Sequence, residues 1–225
     1  NFFNSSFVPT LSPFKRKRYS ESIPEPMLKE IKKNILKHSN IHVKIFVLLG
    51  LNYGMRYSDI INLNRDCLKE NEVNSSKKDL HFYSQKIKKH RILYSIENII
   101  SFQIHKLIEE SQKLREEHQV GSIFIKKYRS KKGYSIPSNS SINKLINDFL
   151  KENSINHPSG SYLRISTHSF RRTIPESYDK KGVSIFVAKE VLGHKSIDTT
   201  KKFYDKTNEY EYQKSMQEAI KKINV

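Results

Sequence analysis

Residues 191–204 read VLGHKSIDTTKKFY, and this stretch places a basic turn between two short helices. Gly193 is typical of the residue that ends a helix, because glycine adopts the left-handed backbone conformation without steric cost. His194 then begins the turn, and Tyr204 falls about ten residues later on the second helix. A tyrosine hydroxyl can attack phosphorus where donors stabilise both the phenolate and the phosphate oxygens. Since the chain has 12 tyrosines, this position alone does not identify a nucleophile.

A second basic cluster lies upstream at residues 167–173, which read THSFRRT. Thr167 is a candidate N-cap, and His168 and Arg171 are three residues apart, which places both on one face of the helix that follows. An imidazole and a guanidinium that project together can bind one phosphate, the first as a hydrogen-bonding or acid–base group and the second as a permanent charge. A histidine near a helix start is also commonly structural, so this cluster is ambiguous by itself.

A third cluster, GMRYSD at residues 54–59, follows a strongly apolar stretch. Arg56 sits where the apolar helix ends and could bind a phosphate bidentately, while Asp59 steadies the turn. The alternative is an ordinary surface pair between Arg56 and Asp59, one helical turn apart. All three clusters therefore place basic residues beside helix breaks, where backbone N–H groups can also bind an oxyanion.

The composition independently indicates a polyanionic partner. The 225 residues contain 41 Lys and Arg against 23 Asp and Glu, a formal net charge of +18, which is far more than solubility requires. The longest apolar stretch, residues 45–51, is too short to span a membrane. The single cysteine, Cys67, can form neither an internal disulfide nor a cysteine-based zinc site, which fits a reducing compartment. His38 and His42 are four residues apart but lack a Glu or Cys partner pattern, so we expect a solvated helix surface there.

Hydrophobic periodicity predicts a mainly α-helical domain with a small antiparallel β-sheet near residues 78–97. The predicted strands are residues 80–84 and 91–96, joined by a basic turn, with another short strand at residues 121–125 and a basic loop at residues 128–138. Residues 167–225 are predicted to be mostly helical, with breaks at Gly182 and Gly193. The remaining predicted helices start near Ile23, Ile41, Tyr57, Ile96 and Ser141.

Taken together, the three clusters resemble the catalytic signature of the tyrosine recombinases, the phage-integrase family of site-specific DNA recombinases. GMRYSDIINL is similar to the family's first arginine box, HSFRRT to its second and LGHKSIDTTKKFY to its third. The resemblance covers roughly residues 21–215 and implies the mainly α catalytic-domain fold of that family. It also implies that residues 1–20, with the basic run at 15–18, are an interdomain linker and that residues 21–225 are the catalytic domain. An amino-terminal DNA-clamping domain is expected to have been cut away before the linker.

The resemblance implies a catalytic set of six residues. In the family, two arginines grip the scissile phosphate, two histidines hydrogen-bond to it, a lysine protonates the leaving 5′ oxygen, and a tyrosine forms a 3′-phosphotyrosyl bond. Carried over by position, these residues are Arg56, Lys86, His168, Arg171, His194 and Tyr204. Two positions stay open, since other lysines share the predicted turn and other tyrosines follow the third box. These alternatives are Lys88 and Lys89 for the acid, and Tyr210 and Tyr212 for the nucleophile. Asp59 is expected only to buttress Arg56.

The function that this resemblance implies is a DNA strand transferase that needs no metal, nucleotide or other cofactor. It would serve integration and excision, or transposition, of a mobile genetic element. The implied partners are double-stranded DNA and other recombinase protomers on a DNA synapse, with no membrane, in the bacterial cytoplasm at the nucleoid. Two other functions stay open: a catalytically inactive DNA-binding relative that acts as a regulator, and an enzyme similar to type IB topoisomerases.

Overall fold

The structure is a computed structural model that describes residues 22–127, 133–159 and 164–204. Within these ranges the chain forms eight helices and five strands. The helices are α1 (Glu25–Ile35), α2 (Ile41–Tyr53), α3 (Tyr57–Ile61), α4 (Asn98–His118), α5 (Asn139–Glu152), α6 (Thr167–Lys180), α7 (Ile185–Leu192) and α8 (Ile197–Tyr204). The strands are β1 (Leu68–Glu70), β2 (Lys78–Ser84), β3 (Lys89–Ile96), β4 (Lys126–Lys127) and β5 (Tyr134–Ser135). The mainly helical fold with a small antiparallel sheet is thus confirmed.

Helix α2 is the centre of the hydrophobic core. Its apolar residues are buried around the whole helix, and α4, α5 and α6 pack against it. The Asn40 side chain caps its first turn by accepting from the backbone N–H groups of His42 and Val43 at 3.0 and 3.3 Å. Where α2 and α6 meet, a Cβ on Gly50 would lie 2.9 Å from the ring of Phe170. This close packing fixes α6, which carries the second basic cluster, against the end of α2.

Strands β1, β2 and β3 form an antiparallel sheet in that order. Leu80 and Leu93 are cross-strand partners on its buried face, which packs on the helical core. A four-residue turn, residues 85–88, joins β2 to β3. It closes with a hydrogen bond from the N–H of Lys88, whose φ is +53°, to the carbonyl of Ser84 at 2.8 Å. The predicted hairpin with its basic turn is confirmed.

Two predictions about local structure are wrong. Residues 121–125 are not a strand: the backbone N–H of the buried Ile123 donates to the carbonyl of Leu63 at 2.9 Å, an isolated backbone hydrogen bond rather than a strand ladder. Helix α6 is capped by Ser166 instead of Thr167, and the N–H of Ser166 donates to the Ser169 hydroxyl at 3.1 Å. Sequence periodicity also missed β1 and the two-stranded sheet of β4 and β5, since strands of two or three residues carry no period.

His42 is the third departure from expectation. Instead of lying on a solvated helix surface, it is buried and its ring centroid is 5.4 Å from that of Phe124. Burial, followed by the nearby positive charge of Lys126, lowers the pKa of His42 to about 4. None of the helices in the described ranges is both long and apolar enough to cross a membrane.

Candidate active site

The first arginine box follows the carboxyl end of α2. Gly54 ends that helix with φ +57°, a left-handed conformation that side chains other than glycine adopt at a cost. A Cβ at Gly54 would also lie 2.7 Å from Cδ2 of Leu192 at the end of α7. The chain can therefore turn sharply under α7, and this turn places Arg56 at the N-cap position of the short helix α3.

Arg171 projects from α6 into the space between the carboxyl ends of α2 and α7. Its side chain is nearly buried, with 9% of the residue exposed. Its Nη1 donates to the Gly54 carbonyl at 2.8 Å, and its Nη2 donates to the Leu192 carbonyl. Burial, followed by the neighbouring charge of Arg56, lowers the pKa of Arg171 to about 9, so the group remains a cation at neutral pH. Two helix carboxyl ends, both carrying partial negative charge, hold this cation in place.

Arg56 lies beside Arg171 and is only partly satisfied. Its Nη2 donates to the Gly193 carbonyl at 3.3 Å, and its Nη1 lies 3.7 Å from Oδ2 of Asp59. The 3.7 Å contact is an ion pair and not a hydrogen bond, so the buried Nη1 has no hydrogen-bond acceptor among the described residues. A buried donor without an acceptor is costly, and a bound oxyanion would satisfy it.

These two arginines and His168 line one cleft of about 200 Å³. The structure therefore brings together three of the six predicted residues, from α6 and from the turn before α3. Three hydroxyl groups and one amide complete the lining, from Tyr57, Ser58, Thr167 and Asn139. The amino end of α6 opens into the cleft and adds the partial positive charge of a helix start. A single phosphate group matches the positive charge of this lining and could accept from the Nη1 of Arg56, which lacks an acceptor among the described residues.

His168 lies at the exposed rim of this cleft. Partial burial of its ring, together with the positive charges of Arg171 and Arg56, lowers the pKa of His168. Its imidazole is therefore neutral at pH 7 and can accept a proton or donate a hydrogen bond. A bound anion would offset the effect of these two positive charges on the pKa of His168, but not the effect of burial.

His194 lies on the other side of the Gly193 turn. Its Nδ1 is 2.9 Å from the hydroxyl oxygen of Thr200, which fixes the ring, and burial followed by the charges of Arg171, Arg56 and Arg91 lowers the pKa of His194 to about 4. His194 lines a neighbouring, more basic cleft of about 490 Å³ between the β2–β3 hairpin and the end of α7. The two clefts share a wall, since the Gly193 carbonyl contacts Arg56.

Lys86 is exposed in the β2–β3 turn and does not line the cleft of Arg56 and Arg171. The end of β2 next to this turn is nevertheless tied to that cleft. The hydroxyl of Ser84, the last residue of β2, donates to both carboxylate oxygens of Asp59 at 3.1 and 3.2 Å. Asp59 is 1% exposed, so the surface pair considered from sequence is wrong. Asp59 is instead a buried link between the hairpin and the first arginine box.

Tyr204 is the last residue of α8, the helix that follows the His194 turn. Its helical backbone is described, but its side chain lies outside the described part of the structure, as do Tyr210 and Tyr212. The basic linker at residues 1–20, part of the predicted basic loop at 128–138 and part of the loop near residue 160 also fall outside it.

Sequence reasoning missed Arg91 and the asparagines of α5. Arg91, on β3, donates to the carbonyls of Glu190 and Val191 near the end of α7. Asn143 accepts from the backbone N–H of Thr167 at 3.0 Å. The only sequence signal was the spacing of the asparagines, at positions 139, 143 and 147 on one face of a helix; nothing marked Arg91 among so many basic residues.

Several solved structures with a similar fold are recombinases, and the fold of this chain is that of tyrosine recombinase catalytic domains. The structure of XerA recombinase superposes with a TM-score of 0.60 at 18% identity, over 86% of this chain and 64% of that one. The post-cleavage complex of the XerH site-specific recombinase with its palindromic difH substrate gives 0.59 at 15% identity, over 88% and 52%. The Tn1549 transposon integrase in complex with circular intermediate DNA gives 0.57 at 14% identity, over 84% and 64%.

The chain belongs to the phage integrase family, whose sequence model matches residues 21–210. Among curated relatives, tyrosine recombinase XerA of Pyrococcus horikoshii is 25% identical over 212 residues. That match covers 94% of this chain and 65% of the relative, so the chain spans slightly less than two thirds of the relative's length. The resemblance drawn from the three basic clusters is confirmed.

Proposed function

We propose that this chain is the catalytic domain of a site-specific recombinase that cleaves and rejoins double-stranded DNA through a 3′-phosphotyrosyl intermediate at Tyr204. The observation that carries the proposal is the cleft of Arg56, Arg171 and His168, in which a buried Nη1 of Arg56 has no hydrogen-bond acceptor among the described residues. Family membership supports the same reaction class. The cleft is the binding site for the scissile phosphate.

The two arginines stabilise the transition state. As the tyrosine oxygen adds to phosphorus, negative charge grows on the nonbridging oxygens, and two guanidiniums held by helix carboxyl ends stabilise this charge without having to reorganise. Backbone carbonyls take one hydrogen bond from Arg56 and two from Arg171, which leaves the remaining N–H groups for the phosphate. Fixed cations thus supply the charge stabilisation that metal ions supply in many other phosphoryl-transfer enzymes.

Proton transfers complete the step. The phenol of Tyr204 gives up its proton, for which neutral His168 is the acceptor in the cleft, and the new O–P bond forms. The bond from phosphorus to the 5′ oxygen breaks, and Lys86 donates a proton to that oxygen. His194 adds a hydrogen bond to the phosphate. The phosphotyrosyl bond conserves the energy of the phosphodiester, so a 5′ hydroxyl of another strand can reverse the step without a nucleotide cofactor.

The biological role that we propose is integration and excision, or transposition, of a mobile genetic element. The reaction would take place on a synapse with other protomers, at the nucleoid in the bacterial cytoplasm. Residues 1–20 would link this domain to an amino-terminal domain that clamps DNA. The chain's net charge of +18 supports a DNA partner, because contacts from lysine and arginine to DNA phosphates supply much of the affinity of DNA-binding proteins. This affinity should depend strongly on salt.

A covalent adduct is the decisive test. The chain is incubated with nicked duplexes of randomised sequence, in which a cleaved strand loses its short 5′-hydroxyl fragment, and products are separated under denaturing conditions. We expect a protein–DNA adduct whose tryptic peptide contains Tyr204 linked to phosphate, and no adduct with Tyr204→Phe. Tyr210→Phe and Tyr212→Phe are matched controls and should form the adduct.

Each other result identifies another function. Salt-sensitive binding without an adduct for the unmodified chain would favour the inactive regulator. Relaxation of supercoiled plasmid by the monomer, with an adduct but without strand exchange between two duplexes, would favour the topoisomerase-like enzyme. An adduct that persists in Tyr204→Phe would move the nucleophile to another tyrosine.

A further inference from the structure

Three arginines from three different parts of the fold donate hydrogen bonds to the carboxyl end of α7. Four consecutive carbonyl groups, those of residues 190–193, each accept a hydrogen bond from a guanidinium. Arg91 donates to the first two, Arg171 to the third and Arg56 to the fourth. Two of these arginines belong to the proposed phosphate cleft, and the third, Arg91, has no role in that cleft.

Helix geometry explains why these carbonyls are available. The last four carbonyls of an α-helix have no N–H donor within the helix, and the carboxyl end carries partial negative charge. The Gly193 turn satisfies part of this set, since the N–H of His194 donates to the Lys189 carbonyl at 3.1 Å. The guanidiniums complete it, and the helix end in turn reduces the repulsion among three cations in a small volume.

Arg91 is fixed on its other side by the sheet. It pairs across the strands with Phe82, and its guanidinium carbon lies 5.4 Å from the centroid of the Phe82 ring. The same guanidinium packs on Gly193, whose φ is +59°, and a Cβ at Gly193 would lie 2.5 Å from Nη1 of Arg91. Glycine is therefore required at 193 both by the backbone conformation and by the close approach of Arg91.

We propose that Arg91 is a positioning residue that ties the hairpin carrying Lys86 to the turn carrying His194. The inference rests on the proposed function, since it concerns the alignment of that same site. Arg91 lies close to the turn of the hairpin, five residues along the chain from Lys86, and holds the helix end that both phosphate-binding arginines also contact. One guanidinium thereby sets the relative position of the acid, the second histidine and the phosphate cleft.

The kinetic test uses Arg91→Met, which keeps an unbranched side chain about as long as the aliphatic part of arginine and removes the donors. Cleavage is followed in single turnovers at saturating concentration of a nicked duplex that the unmodified chain cleaves. Because small misplacements of catalytic groups cost up to about a hundredfold, we expect the rate to fall on the order of tenfold to a hundredfold, with DNA affinity changed far less. Arg91→Lys, which restores a donor, should recover part of the rate.

Arg65→Met is the matched control, because Arg65 is exposed, pairs with Asp66 and lines none of the clefts described above. It removes the same charge and should leave the rate unchanged. The proposal is overturned if Arg91→Met cleaves at the control's rate, or if its loss disappears once DNA is saturating. Failure of Arg91→Lys to cleave faster than Arg91→Met would also contradict it.

A second variant tests the same contact from the side of the His194 turn. Gly193→Ala pushes a Cβ against the guanidinium of Arg91 and should reproduce the rate defect. In the double variant with Arg91→Met, that clash is gone, so the combined loss should be smaller than the product of the two single losses. Independent, multiplicative effects would show that the two residues do not act through one contact.

A measurement without DNA separates this inference from the proposed function. In the NMR titration of the histidine rings, Arg91→Met should raise the pKa of His194 from its depressed value of about 4, whereas Arg65→Met should not. A chain that forms no adduct but shows this shift contradicts the proposed function while the contact with the His194 turn stands. An unchanged pKa of His194 in a chain that cleaves DNA contradicts the inference alone.

Discussion

The phosphate cleft and the β2–β3 turn are built in opposite ways. The cleft is enclosed by helix ends: Arg171 is nearly buried and bonded to two backbone carbonyls, and Arg56 is held by a third carbonyl and by Asp59. Lys86 stands in an exposed four-residue turn, and no described contact fixes its side chain. Within one proposed site, therefore, the groups that stabilise charge are fixed, whereas the proton donor stands on an anchored hairpin with only its exposed side chain free to move.

This difference follows from what each group must do. Electrostatic stabilisation is most effective when dipoles and charges are fixed before the reaction, because the protein then does not reorganise as charge develops. A proton donor must reach a leaving oxygen whose position depends on the bound DNA, and an exposed lysine on a hairpin tip can adjust to it. Removing a cleft residue should therefore damage both rate and stability, whereas changing the tip should damage rate alone.

The largest effect is expected for Arg171→Ala. Loss of a fixed cation from the cleft should lower the rate of adduct formation on the order of 10³-fold. The carbonyls of Gly54 and Leu192 lose their donor, so the free energy of unfolding should fall by about 1–3 kcal/mol. Single-turnover cleavage and urea denaturation measure the two quantities, and Arg65→Ala is the exposed control. Comparable rates for Arg171→Ala and the control would remove Arg171 from the site.

Lys86→Ala should lower the cleavage rate about a hundredfold without changing the urea midpoint, because the side chain is exposed. A substrate with sulfur in place of the leaving 5′ oxygen should restore the rate, since a thiolate leaves without needing a proton. The same substrate should not rescue Arg171→Ala. Matched variants at Lys88 and Lys89 decide between the lysines of the turn: the true acid is the one whose loss the sulfur substrate repairs.

Asp59 joins the two regions, so Asp59→Asn should produce a mixed effect. The buried ion pair with Arg56 is lost while the hydrogen bond from Ser84 can remain. We expect the free energy of unfolding to fall by about 1–3 kcal/mol and the cleavage rate by about tenfold. Asp66→Asn, at an exposed aspartate, is the control. An effect on rate with no effect on stability would show that Asp59 behaves like a residue of the exposed turn and not like a residue of the cleft.

The smallest effect on the cleavage rate is expected for His42, which is buried, lines neither cleft and acts on the pH dependence of stability. The pKa of His42 is about 4 in the folded chain and near 6.5 when exposed, so the unfolded state takes up the proton first as pH falls. Stability should therefore be complete above pH 6.5 and fall as the pH drops toward 4, with His194 acting in the same direction. Between pH 6.5 and pH 4, the free energy of unfolding of His42→Leu should fall by about 1–3 kcal/mol less than that of the unmodified chain, as measured by urea denaturation at each pH. An unchanged slope would show that His42 does not titrate in this window.

The sequence predicted the helices, the β2–β3 hairpin and the residue types of the site. Apolar periodicity is local, so it located α2, the hairpin and the helix breaks at Gly182 and Gly193, and two of the three basic clusters predicted Arg56, His168 and Arg171. Residues 121–125 were mistaken for a strand because a short apolar run looks the same whether its backbone joins a ladder or bonds once to a distant carbonyl.

Tertiary structure alone decided how those residues are held. Arg91 and the end of α7 are about a hundred residues apart in sequence, as the separation of 99 between Arg91 and Glu190 shows, and no local pattern links a strand arginine to backbone carbonyls of a distant helix. Asp59 could be read as a surface partner until its burial against Ser84 was known. Residue type and spacing are written in the chain, but burial and the backbone partners of charged groups arise only when distant segments pack. The sequence thus determined which groups can bind a phosphate, and the packing of α2, α6 and α7 decided where their donors point.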